Sequence, residues 1–217
     1  MKKQRVIIQG AGGRDLHNFT TYYRNHPHYE VVAFTGLGTQ AMFLAGRDVP
    51  PEVAGPNYPN GIHIYDDSEL ERLIDELKPD EVNYAIIDVS HEEAMHQASR
   101  VLTKGPKFTL LGPDATMLKS NKPVVAVTAV RTGAGKSPTS RRVVKVLQEM
   151  GKKVVVMKHP NPYGDLRDQA FQRYETLDDL EKHNCIIEER EEYEPHIANG
   201  VVVFTGIETE KILRAAE

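Results

Sequence analysis

The chain has 217 residues, a formal net charge of −4, and 40% hydrophobic against 27% charged residues, the balance of a soluble globular fold with one large or two small domains. Charges of both signs are interspersed without a basic block, so no nucleic-acid partner is expected. The apolar runs are far too short for a membrane-spanning helix, and the opening MKKQRVIIQGAGG lacks the core and cleavage site of a secretory leader, so no membrane partner is expected and the protein reads as cytoplasmic. The single cysteine, Cys185, excludes an internal disulfide and reads as a packed thiol.

Short β-branched runs alternate with longer amphipathic stretches, the rhythm of parallel strands joined by crossover helices. The pattern predicts a strand over 5–9 ending in Gly10, a helix over 16–25 that stops before Pro27, and a strand over 30–35. A Gly- and Pro-rich excursion over 36–59 leads to a short strand over 61–65. A helix over 67–77, capped by Asp67 or Ser68, comes next. A strand over 82–88, a helix over 90–104 with Ser90 and Glu93 at capping-box spacing, and a strand over 107–111 complete the first half. Residues 113–123 read as a connector. The pattern then restarts: a strand over 124–129, a helix over 135–150, a strand over 153–157, a Pro-rich loop over 159–164, a short helix over 176–183, a strand over 201–205 and a helix over 209–216.

The stretch AVTAVRTGAGKSPTS, residues 126–140, has the form of a phosphate-binding loop. An apolar strand feeds Thr132-Gly133-Ala134-Gly135-Lys136-Ser137, and a helix follows. Gly133 and Gly135 let the backbone approach an anion without a Cβ clash. The helix N-terminus offers free amides and the positive end of its dipole. Lys136 is placed for the β- and γ-phosphates, and the Ser137 hydroxyl for Mg²⁺. Val130 stands where the G-x-x-x-x-G-K-[ST] pattern has its first glycine, so the loop is a variant. Arg131 and Arg141 are further basic groups nearby. The expected architecture is α/β: two three-layer α/β units with mainly parallel sheets, a Rossmann-like domain over 1–118 followed by a P-loop domain over 119–217 that carries the phosphate loop.

The residues AVTAVRTGAGKSPTSRRV, together with VIIQGAGGRDLHNF, MKHPNPYGDL and HNCIIEEREEYEPHIANG, resemble the cyclic 2,3-diphosphoglycerate synthetases and the related predicted GTPases. The loop is also similar to that of the group containing dethiobiotin synthetase, which acts on small carboxylates. The resemblance covers essentially the whole chain. It implies a Rossmann-like domain followed by a P-loop domain, ATP-dependent phosphorylation of 2-phosphoglycerate, and a longer chain. The acidic Walker B strand of that family has no counterpart after 201–205, so a C-terminal half or a second chain is expected to supply it.

Gly10, Gly12, Gly13 and Arg14 follow the first strand and read as a second phosphate site. Asp15 replaces the third glycine of a dinucleotide fingerprint and no acidic residue ends the second strand, so NAD(P) is not expected; Asp15, His17 and Asn18 either line that site or cap the helix. Lys158, His159 and Asn161, with Asp165 and Arg167, lie beyond the carboxyl end of a strand, where an acceptor's phosphate or carboxylate would bind. Lys136, Lys158 and His159 are therefore the candidate catalytic residues. Residues 188–194 hold five glutamates, a solvated face by default; the resemblance raises Glu189, Glu192 and His196 above surface charge. The expected function is an ATP- or GTP-dependent phosphotransferase or synthetase with Mg²⁺, acting on a small phosphorylated carboxylate. A GTPase-like regulator and a non-catalytic NAD(P)- or metabolite-binding Rossmann module remain alternatives, and homo-oligomerisation stays open.

Overall fold

Val6, Ile7 and Ile8 are consecutive and fully buried, which requires a strand covered on both faces. They lie in β1 (Gln4–Gln9) of the computed structural model, which describes residues 2–86, 89–129 and 133–217. The chain forms two units, Met1–Leu118 with Asn161–Ala170, and Lys119–Pro160 with Phe171–Glu217.

In the first unit β1 is followed by α1 (Arg14–Asn18), which continues as a π-helical turn over Phe19–Tyr23, then by β2 (Tyr29–Gly36), α2 (Thr39–Leu44), β3 (Asp48–Val49), α3 (Pro51–Ala54) and β4 (Ile62–Asp66). A 3₁₀ turn over Asp67–Glu69 leads into α4 (Leu70–Leu77), then β5 (Glu81–Tyr84), α5 (His91–Leu102), β6 (Lys107–Thr109) and α6 (Pro113–Thr116). The six strands order as β3-β4-β2-β1-β5-β6, all parallel except β3 against β4. Strand order therefore reverses between β1 and β5. Side-chain alternation decides the faces. Ile7, Ala33 and Val82 pack with Leu70, Leu73, Ile74 and Val101 from α4 and α5, while Phe34, next to Ala33, turns the other way and meets the Phe19 ring at 5.5 Å.

Several elements differ from the sequence pattern. The excursion over 36–59 contains α2, β3 and α3. The helix expected from Asp67 is capped by Asp66, whose carboxylate accepts from the Ser68 amide at 2.9 Å. Ser90 caps α5 by accepting from the Glu93 amide at 3.1 Å, but the Glu93 carboxylate turns to Gln97 at 2.7 Å rather than back to Ser90. The strand predicted to reach Asp88 ends at Tyr84 among the described residues, and Ile87 and Asp88 lie outside them.

The second unit holds α7 (Lys136–Glu149), β7 (Val155–Lys158), β8 (Gln172–Tyr174), α8 (Leu177–Lys182), α9 (Ile187–Ile197), β9 (Val202–Thr205) and α10 (Thr209–Ala216). Its sheet orders β7-β9-β8, with β7 parallel and β8 antiparallel to β9. Val144, Val156, Tyr174, Leu180, Tyr193, Ile197, Val201 and Val203 form its core. The sequence reading placed neither β8 nor α9. The acidic run is helical because glutamate is a good helix former and Tyr193, His196 and Ile197 share a buried side.

The strand expected over 124–129 is not formed. Val124 and Val125 are 69% and 61% exposed, and no ladder includes this run. β-propensity measures fit to a pleated, half-buried surface, and β7, β9 and β8 pair with one another without it. Among the described residues no helix is long and apolar enough to cross a membrane.

These packing differences give a direct test. Leu180→Ala, 1% exposed in the core, should lower the unfolding free energy of the second unit by about 2–5 kcal/mol. Val124→Asp should change it by less than about 0.5 kcal/mol. Chemical denaturation of both variants of the 217-residue chain checks this, and a large loss for Val124→Asp would mean that the run is packed.

Candidate functional site

Glycine is required where the chain enters α7. Gly133 and Gly135 have φ of +76° and +91°, the left-handed region that side chains avoid. Gly135 is the N-cap and Lys136 the first residue of a 14-residue helix, whose leading amides have no partners within the helix. Ala134 and Lys136 are exposed and Ser137 is half-buried. Thr132, with Val130 and Arg131, lies outside the described residues.

Two other elements converge on this turn. The half-buried Lys158 ends β7, and its ammonium pairs with the Glu192 carboxylate of α9. The Ser137 hydroxyl donates to the other Glu192 oxygen at 3.1 Å. Lys158 also lies 5.8 Å from the Tyr193 ring centre. Burial pushes the Lys158 ammonium down to about 8, the positive charges of Lys136 and Arg141 push it the same way, and Glu189 opposes them. Burial, then Lys158 and Arg141, holds His196 below the usual imidazole range. A hollow of about 320 Å³ beside it is lined by Arg141, Arg142, Lys145, Gln148 and His196.

Lys136, Ser137, Lys158, Glu189, Glu192 and His196, all singled out in the sequence, thus belong to one neighbourhood of the second unit. Arg141 joins them because it lies one helical turn after Ser137. Tyr193 was missed; its position between Glu192 and Glu194 looked like part of a solvated face, and only its burial marks it. His159 is exposed next to Lys158 and is engaged in an interaction of its own. Of the other residues expected to bind the acceptor, Asn161, Asp165 and Arg167 belong to the first unit, where Arg167 pairs with Glu52 at 3.1 Å and Asp165 at 3.5 Å.

The neighbourhood carries convergent cations able to hold oxyanions, beside a hydroxyl and a carboxylate able to hold a hard cation. Among the described residues no three His, Cys, Asp or Glu side chains form a metal-binding group. Mg²⁺ does not need one, since it commonly takes one or two protein oxygens, substrate phosphates and water. By the chemistry of this donor set, Ser137 and Glu192 fit Mg²⁺, and Lys136 and Lys158 fit a triphosphate.

The first glycine turn is arranged differently. Gly10 has φ of +123°, but the amides beyond it are taken by the protein. Asp15 accepts from the Gly13 and Leu16 amides at 2.6 Å each, and Gln40 accepts from the Ala11 amide at 3.1 Å. Asp15 is fully buried, and burial raises its carboxyl above the usual range against the pull of those amides. A carboxylate thus already sits where a phosphate at Gly12 and Gly13 would need donors. Arg14 is likewise engaged, donating to the Leu111 carbonyl at 3.0 Å and the Thr116 hydroxyl at 3.3 Å. His17 meets the Thr116 carbonyl at 2.9 Å, and Asn18 donates to Asn83 at 3.0 Å.

Burial, and then Glu189, pushes the Cys185 thiol up to about 11. The thiol form therefore dominates at neutral pH. At pH 8 the thiolate fraction should make alkylation by iodoacetamide about a hundredfold slower than for a free cysteine, with the rate rising toward pH 11. Mass spectrometry of the native protein measures this, and rapid labelling at pH 7 would show an activated thiol.

No protein-family model matches the chain. It is similar to a curated protein of Thermococcus kodakarensis named Arginine synthetase ArcE, with 59% identity over 216 residues, 100% of this chain and 48% of that protein. The chain thus spans about half the length of the curated relative it matches. Among solved structures it is similar to UDP-D-quinovosamine 4-dehydrogenase from Vibrio fischeri, at 20% identity and TM-score 0.40, covering 51% of this chain and 79% of that one. It is also similar to RSP, a Rex-family repressor, at 18% identity and TM-score 0.37, covering 70% and 65%. Likenesses this slight say nothing of function.

Proposed function

We propose that this chain carries the nucleotide-binding half of an ATP- or GTP-dependent synthetase, with the Gly133–Ser137 turn receiving the triphosphate and Lys158 facing the second substrate. The observation that carries this reading is the convergence of Lys158 on the turn that begins α7. Glu192 ties Lys158 to Ser137 of that turn, and the positive charges of Lys136 and Arg141 act against the Lys158 ammonium; a bound polyanion would relieve that repulsion. The amides at the start of α7 and the Lys136 ammonium would bind the phosphates. As charge builds on a transferring phosphoryl group, Lys136 and Lys158 would hold it more tightly than the ground state, which lowers the barrier. Mg²⁺, when bound, neutralises charge on the β- and γ-oxygens; Ser137 would hold it.

The relative's name favours a synthetase over a regulator. It also favours arginine over the 2-phosphoglycerate that the motif resemblance implies; both are small carboxylates. In a protein of the relative's length, the remainder can offer the strand partner that the exposed Val124–Val125 run lacks, and the acidic strand expected of a P-loop domain.

Two measurements test this reading. Lys136→Ala should weaken binding of a non-hydrolysable ATP or GTP analogue by about tenfold or more, read by calorimetry, because it removes a charge-assisted contact; unchanged affinity would exclude the turn as the triphosphate site. A synthetase also runs backward. Arginine with ADP or GDP, phosphate and Mg²⁺ should yield nucleoside triphosphate by a luminescence or chromatographic assay, together with ammonia and the ureido amino acid, as the guanidino carbon loses ammonia and takes the oxygen that phosphate gives up. Phosphorylation of 2-phosphoglycerate with no arginine-dependent synthesis would reinstate the phosphoglycerate reading, whereas nucleotide hydrolysis alone would favour a GTPase-like regulator.

A further inference from the structure

We infer that Glu192 is the second protein ligand of Mg²⁺ in this site, beside Ser137. The inference rests on the nucleotide reading of the Gly133–Ser137 turn and names a residue that the phosphate-loop pattern does not contain. Ser137 and Glu192 are 55 residues apart in sequence, yet their side-chain oxygens lie 3.1 Å apart. Two ligands at adjacent corners of a Mg²⁺ octahedron, each about 2.05 Å from the metal, are separated by about 2.9 Å. The pair therefore needs only a few tenths of an ångström of adjustment to share one ion.

The second Glu192 oxygen is held by Lys158. A ligating carboxylate is commonly oriented by an outer donor of this kind, which leaves one oxygen free for the metal. Lys158 thereby acts as a positioning residue for Glu192 as well as a cation facing substrate. Glu189, one turn earlier on α9, is 4% exposed, and its charge acts on Lys158 and Cys185. Mg²⁺ completes such a pair with phosphate oxygens and water, which fits a site with no third acidic or imidazole ligand among the described residues.

Mn²⁺ is the probe, and free Mn²⁺ is followed by electron paramagnetic resonance with saturating non-hydrolysable nucleotide, corrected for binding to nucleotide alone. Glu192→Gln and Ser137→Ala should each weaken Mn²⁺ in the ternary complex by about tenfold or more. The metal-free analogue should bind Glu192→Gln at least as tightly as wild type, because a negative charge has left the phosphate site. Glu188→Gln, an exposed glutamate on the same helix, should leave Mn²⁺ affinity unchanged. Unaltered Mn²⁺ affinity in Glu192→Gln overturns the assignment, and so does an equal loss of metal-free nucleotide binding, which would mark a structural role. If circular dichroism shows that Glu192→Gln is unfolded, Glu192→Asp decides: it keeps the charge but withdraws the carboxylate, so Mn²⁺ should weaken, and wild-type affinity overturns the assignment. Wild-type protein that binds no analogue with or without Mn²⁺ removes the nucleotide reading and this inference together; binding by wild type with an unaffected Glu192→Gln removes this inference alone.

Discussion

The Glu192 carboxylate is the contact on which the second unit's polar site depends. One of its oxygens takes the Ser137 hydroxyl and the other takes the Lys158 ammonium. It joins the first turn of α7, the end of β7 and the middle of α9. Without it, Lys158 would be a half-buried cation opposed by the charges of Lys136 and Arg141 and supported among the described residues by Glu189, an arrangement that burial makes costly. The parallel pairing of β7 with β9 sets up this meeting by aligning Lys158 with Thr205 at the carboxyl ends of both strands, the end of a parallel sheet at which ligands bind.

The two units treat their polar groups in opposite ways. In the first, the groups at the carboxyl ends of the strands bind one another. Gln9 donates to Asp67 and Gln97, Arg100 holds Asp67 and Glu71, and Asp15 closes its own glycine turn. Such a network rigidifies a core. In the second, like charges are gathered in the half-open and an apolar run is left in water. Groups assembled against their own repulsion point to a ligand.

Much of the chain could be read from local pattern. The alternation of apolar runs with amphipathic stretches located β1, β2, β4, β6, α4, α5, α7, β7, β9 and α10 to within a few residues, because strand and helix periods of 2 and 3.6 residues are local properties. Capping chemistry was legible where an oxygen-bearing side chain faces its own helix, as at Ser90. The strand over 124–129 was not, because an apolar run records only that burial is favourable. Pairing needs an edge from elsewhere, and β7, β9 and β8 do not offer one. α9 was passed over for the opposite reason: its charge masked a buried side formed by Glu189, Tyr193 and His196.

Residue type alone set the glycine turn, the lysine and the serine at the head of α7, since positive φ and helix-terminal amides are consequences of residue type and neighbours. It also determined the α/β character of both halves. That Glu192 meets Ser137, that burial and then the charges of Lys136 and Arg141 depress Lys158, and that Asp15 fills the first glycine turn are set by long-range packing. Those contacts join residues far apart in the chain, and their energies depend on distance and burial, which no local pattern encodes. The same holds for the loop after Lys158, which local pattern assigned to one site and the fold assigns, from Asn161 onward, to the other unit.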